Sequence, residues 1–175
     1  MKLLIIELTG VALLAWSLKV LLQFHKKPIA VFNFEDARHQ FKIARQGYYS
    51  ISVLGAGFID LEQRVIIKIA SDESNASNVR VNYLAFSSTR EGQKEVQCWG
   101  FSIRHAGNYT ISFSNLHQIE AYRSTLRSKR FFESPIDHSK LRILIHQSIK
   151  PIYQLGAIIA LILGVNLILH GILNF

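Results

Sequence analysis

The sequence predicts a mainly β protein, an antiparallel β-sandwich or jelly-roll domain held between two transmembrane α-helices. Three observations predict it. A thirteen-residue pattern, F-x-I-x-x-x-G-x-Y-[S/T]-I-S-[V/F], runs from Phe41 to Val53 and again from Phe101 to Phe113, displaced by 60 residues. The stretch between the ends breaks into short alternating apolar runs separated by turn residues, as small antiparallel folds do. Both ends are long and apolar, which raises the mean hydropathy of the whole chain to +0.19 and its hydrophobic content to 49%.

The end segments set the boundaries. Residues 1–24 read as a first transmembrane helix of signal-anchor type, since no small-residue cleavage site follows the apolar run. Residues 151–175 read as a second, and each is long enough to cross a hydrocarbon core of ~30 Å at 1.5 Å per residue. Glu7 and Lys19 interrupt the first run near its two ends, where each could snorkel to an interface. Residues 25–150 form one domain of ordinary globular composition.

Within that domain the repeated pattern fixes parity. Phe41, Ile43, Tyr49, Ile51 and Val53 are all odd-numbered, and Phe101, Ile103, Tyr109, Ile111 and Phe113 repeat that parity, so each copy offers one apolar face to a shared core. If Ile43 faces Tyr49 and Phe41 faces Ile51, each copy is a β-hairpin with a three-residue loop. Gly47 and Gly107 then follow as left-handed turn residues. Before the first copy, 29–34 reads as a strand. Between the copies, 64–70 and the alternating Val79, Val81, Tyr83 and Ala85 read as strands around a polar loop at 71–78. The segment 96–100 leads into the second copy and 141–149 closes the domain, for eight or nine strands in all.

The run Gly107-Asn108-Tyr109-Thr110-Ile111-Ser112-Phe113-Ser114-Asn115 resembles a strand of the GOLD-type β-sandwiches found in membrane-anchored cargo adaptors, which carry a similar G-x-Y…F-x-N run. The resemblance covers about a dozen residues. It implies a sandwich fold.

Formal net charge is +8, and the domain holds 18 of the 20 Lys and Arg against 11 of the 12 acidic residues. Most of this charge is interspersed and reads as solvated surface. Arg123, Arg127, Lys129 and Arg130 are the exception, because they crowd into eight residues followed by Phe131 and Phe132. They are candidate lipid-surface residues, against the plainer reading of a basic loop before the last strand. No nucleic-acid-binding motif accompanies them, so nucleic acid is not expected as a partner.

No catalytic constellation is recognisable: there is no HExxH, GxSxG or phosphate-binding glycine loop. The domain's histidines, His25, His39, His105, His117, His138 and His146, are scattered, and no metal or cofactor is expected. Cys98, the single cysteine, excludes an intrachain disulfide and reads as a small apolar group in a buried strand.

In the second helix Gly156, Ala160 and Gly164 recur every four residues, a spacing that lets helices approach closely in lipid, within the chain or against a partner. In an antiparallel pair of helices, Glu7 would lie at the depth of Asn166 and His170. The chain is therefore expected to be a non-catalytic accessory or assembly subunit, meeting a larger integral membrane protein or its own copies through its helices. The alternative is a membrane-tethered binding module, a sensor or immunity-type protein recognising a carbohydrate, peptide or toxin. Cations near the domain-facing helix ends favour a cytoplasmic domain by the positive-inside rule. The signal-anchor-like amino end favours an extracytoplasmic one, which is the placement adopted, since long domains translocate with less regard to charge.

Overall fold

A computed structural model describes residues 2–22, 27–61, 65–71, 79–82 and 87–173. It divides into two compact units, Lys27–Ser148 and the pair of end segments Met1–Lys26 and Ile149–Phe175.

Strands dominate the first unit. They are β1 (Ala30–Asn33), β2 (Arg38–Ile43), β3 (Gly47–Leu54), β4 (Phe58–Ile59), β5 (Ile66–Ser71), β6 (Arg80–Val81), β7 (Ser87–Arg90), β8 (Gln93–Ile103), β9 (Gly107–Ser114), β10 (Ala121–Tyr122) and β11 (Arg142–Ser148). One sheet has the order β1-β11-β3-β8-β6, with β7 also on β8; a second has the order β2-β9-β5, and β10 pairs with β4. All of these pairings are antiparallel. One apolar cluster joins Tyr49, Ile51, Val53, Phe101, Ile143 and Ile145 of the larger sheet to Phe41, Ile43, Ile69, Ile111 and Phe113 of the smaller. The arrangement is consistent with a β-sandwich.

The hairpins predicted from the repeat do not form. β2 pairs with β9, placing Phe41 opposite Tyr109, and β3 pairs with β8, placing Tyr49 opposite Phe101. The first copy thus puts its leading strand in the smaller sheet and its trailing strand in the larger, and the second copy does the reverse. A shift of 60 residues turns one pairing into the other, so the copies are related but interleaved. The two glycines differ: Gly47 has a positive φ of 155, a backbone conformation that L side chains rarely adopt, whereas Gly107 has no positive φ. The left-handed turn expected of both copies is therefore not shared by them. The parity expectation holds, because hairpin and crossover bury the same alternate side chains. Each copy also closes its loop alike, with the Tyr49 hydroxyl donating to the Arg45 carbonyl at 2.5 Å and the Tyr109 hydroxyl to the His105 carbonyl at 2.8 Å.

Register slips once along β3 and β8, where Ile51 faces Trp99 and Ser52 faces Gln97. Cys98 is the extra residue of this bulge. It is fully buried, as the sequence suggested, and burial pushes its thiol pKa upward, away from reactivity.

The second unit is a helical hairpin of α1 (Lys2–Leu21) and α2 (Pro151–Leu173). Pro151 opens α2, where its missing N–H is one the helix would leave unpaired anyway, and Gln154 folds back to donate to the Ile149 carbonyl at 3.1 Å. The helices run antiparallel: a Cβ at Gly171 would stand 2.8 Å from Glu7 Oε1, one at Gly164 would stand 2.9 Å from the Gly10 carbonyl oxygen, and Gly156 lies beside Trp16. At 1.5 Å per residue α2 is about 34 Å long, enough to cross a bilayer. Among the described residues it supplies the one stretch apolar enough to do so, Pro151–Gly171, with mean hydropathy 2.2. The expectation of two such helices is therefore met for α2 alone; α1 carries Glu7 and Lys19 within its apolar run.

Candidate functional site

The helical seam is the first site the sequence singled out. Gln154, Ala157, Ala160, Gly164 and Gly171 of α2 are buried, at the three- and four-residue spacing that keeps one face toward a neighbour, and Gly10 and Ser17 of α1 are buried as well. Ala160 and Gly164 thus lie in the seam, and Gly156 flanks it, half-buried beside Trp16. The small-residue face is used within the chain.

Glu7 packs on Gly171, the neighbour of His170. Asn166 is not in the seam. It is exposed, with Nδ2 donating to the Ile162 carbonyl one turn back at 2.8 Å, and His170 is exposed one turn farther on. Most of the exposed surface of the hairpin is apolar, with Leu8, Val11, Leu18, Ile152, Ile159, Ile162, Leu163, Val165 and Leu169 all exposed, and Thr9 and Lys19 of α1 are exposed among them.

The basic cluster falls on an excursion between β10 and β11. Arg123 and Lys129 are exposed, and Arg127 and Arg130 belong to the same 3-10 segment, Arg127–Phe132.

A third group was not foreseen. On the face of the larger sheet opposite to the apolar cluster, alternate residues of three adjacent strands are polar and nonetheless buried: Ser50 and Ser52 on β3, Glu95 and Gln97 on β8, and His146 on β11. Arg90 Nε on β7 donates to Glu95 Oε2 at 2.7 Å. Glu95 Oε1 stands 3.6 Å from His146 Nδ1, too far for a hydrogen bond. Gln97 Nε2 donates to Ser50 Oγ and, at 3.3 Å, to Ser148 Oγ. Ser52 Oγ, Gln97 Oε1, Asn82 Nδ2 and His146 Nδ1 are buried without hydrogen-bond partners. Tyr48 closes over one end, its hydroxyl where a Cβ on Gly100 would be, and burial raises its pKa against the pull of Arg80.

Burial lowers the His146 pKa, the Glu95 carboxylate partly offsets that, and Arg90 adds to the lowering. The imidazole is therefore held neutral beside an ion pair. The arrangement can take up a proton at acid pH, at the cost of a buried charge. Sequence reasoning missed it because alternate polar residues on strands read as a solvent face. The bulge at Cys98 and the glycine under Tyr48 were its only local marks. Among the described residues no three His, Cys, Asp or Glu converge where they could hold a metal ion.

No protein family, curated protein or solved structure matches this chain.

Proposed function

We propose that this chain is a non-catalytic accessory subunit of a larger membrane assembly, anchored by α1 and α2 as two spans and carrying its β unit on the extracytoplasmic side. The observation that carries the proposal is Asn166, an exposed amide about 22 Å along α2 from Pro151 at 1.5 Å per residue, among the exposed aliphatics Ile162, Leu163, Val165 and Leu169. An amide in hydrocarbon is stabilised by a hydrogen-bonding partner on another helix. The intrachain seam already uses Ala160 and Gly164, which leaves the outward face with Ile162 and Asn166 for a larger integral membrane protein. α1 spans with α2 in this reading because the two pack along their lengths and α1 turns Leu8, Val11 and Leu18 outward.

A photoreactive amino acid at Ile162 or Asn166, with one at buried Ala157 as control, tests the proposal in cells. The expected result is one dominant protein adduct from the outward positions and none from the seam. Adducts to lipid alone would defeat it, and adducts only between copies of this chain would replace the larger partner by a homo-oligomer. The second reading, a tethered binding module, draws on one observation, the exposed Phe131 and Phe132.

A further inference from the structure

Among the described residues of the β unit, the most exposed large apolar side chains gather on one excursion, 123–133. Phe132 is 90% exposed, Phe131 77% and Leu126 57%, whereas the unit's other exposed aliphatics, Ile29, Val31 and Ile66, lie elsewhere at 43–50%. An exposed apolar cluster of this kind marks a contact surface.

The excursion is a built loop, tied at its base. β10 pairs with β4 just before it, and the Gly57 N–H donates to the Tyr122 carbonyl at 2.8 Å. Lys94 Nζ donates to the Arg123 carbonyl at 3.1 Å, and the Ser124 N–H donates across the neck to Glu133 Oε2 at 3.1 Å. Beyond the neck, the Ile136 N–H returns to the Ala121 carbonyl at 2.7 Å. Gly57 permits the closure, since a Cβ there would stand 2.3 Å from the Arg123 carbonyl oxygen. Inside the loop the Leu126 N–H donates to Ser124 Oγ and the Lys129 N–H to the Leu126 carbonyl, which sets the 3-10 turn that carries the two phenylalanines. Compact loops of this size, closed on themselves, are often functional.

Charge selects the occupant. Residues 123–132 contain Arg123, Arg127, Lys129 and Arg130 and no acidic residue, and Glu133, which follows them, is engaged in the neck. We propose that this loop docks on an anionic phospholipid bilayer, with Leu126, Phe131 and Phe132 entering the headgroup–acyl boundary while the cations lie against lipid phosphates. Cations attracted to an anionic leaflet and side chains that gain by leaving water reinforce each other there. The inference rests on the loop's own exposure and charge and is independent of the accessory-subunit reading.

The test uses the full chain in nanodiscs of phosphatidylcholine, with or without phosphatidylserine. Phe132→Cys carries an environment-sensitive fluorophore; Cys98, fully buried, stays unlabelled. Expected is a blue shift with quenching by brominated lipid in the anionic disc, which assigns contact to the protein's own bilayer. The same signal appearing only when anionic vesicles are added to the neutral disc assigns it to a second bilayer, and supports the proposal equally. Replacing Arg123, Arg127, Lys129 and Arg130 by Gln should weaken the anionic preference about fivefold per cation. Phe131→Ser with Leu126→Ser should reduce quenching of the label while leaving thermal unfolding of the β unit unchanged. A label that stays in water in every condition overturns the proposal, and so does a blue shift without bromine quenching, which would mean a protein partner.

Discussion

The two units bury opposite kinds of residue. In the β unit the apolar core is Ile, Phe, Val and Tyr, apart from the buried polar face; among the described residues of the hairpin those buried are Gly10, Ser17, Gln154, Ala157, Ala160, Gly164 and Gly171, and its Ile, Leu and Val are half-buried or exposed. A chain folding in water on both sides has no reason to invert. In hydrocarbon the outward aliphatics cost nothing, and close approach of small residues supplies the attraction that the hydrophobic effect supplies in water. The inversion supports the proposal that the hairpin is embedded in lipid. The loop at 123–133, with Leu126, Phe131 and Phe132 exposed, is the β unit's largest local departure of the same kind among the described residues.

The comparison breaks most readily at equivalent truncations in the two units. Ile51→Ala and Ile143→Ala, each fully buried in the β unit, should destabilise it by ~2–5 kcal/mol, measured by denaturant unfolding of the full chain. Ile162→Ala, on the outer face of α2, should leave helix pairing unchanged; if it unpairs the helices as strongly as a core truncation unfolds the sheet, the inversion is wrong. Overpacking should reverse the roles. Gly164→Val drives a side chain toward the Gly10 carbonyl oxygen 2.9 Å from its Cβ, at about 1–3 kcal/mol, and should separate the helices without lowering the unfolding midpoint of the β unit.

A smaller effect should come from the buried polar face. Because His146 has a lowered pKa when folded, the unfolded chain takes up the proton first as pH falls. The stability it contributes is present above about pH 6.5 and is lost progressively below it. His146→Gln should flatten the stability profile below pH 6.5, and an unchanged slope in titrated unfolding curves would remove His146 from the account. Smallest are Tyr49→Phe and Tyr109→Phe, each giving up one hydrogen bond to a carbonyl four residues back, at about 0.5–1.5 kcal/mol. Their losses should be alike, since the two copies of the repeat close their loops the same way.

These sites differ in how far they could be read in advance. The core was legible because Tyr49, Ile51, Ile111 and Phe113 share a parity that any antiparallel partner would respect. The partner itself was not: a three-residue loop ending in glycine fits a hairpin on local grounds, and only the long-range pairing of β2 with β9 and β3 with β8 decides otherwise. The helical seam was legible from spacing, because Ala160 and Gly164 mark a close face whatever packs on it. The polar cluster was not, because Ser50, Ser52, Glu95, Gln97 and His146 have the pattern of an exposed face and nothing in that pattern marks them as buried.

The central claim is that α1 crosses the bilayer antiparallel to α2, and nitroxide labels along α1 in lipid nanodiscs test it most directly. Labels at Leu8, Val11 and Leu18 should be accessible to oxygen and shielded from a water-soluble nickel chelate. Chelate access at Leu8, Val11 and Leu18 would put α1 in water and contradict the account.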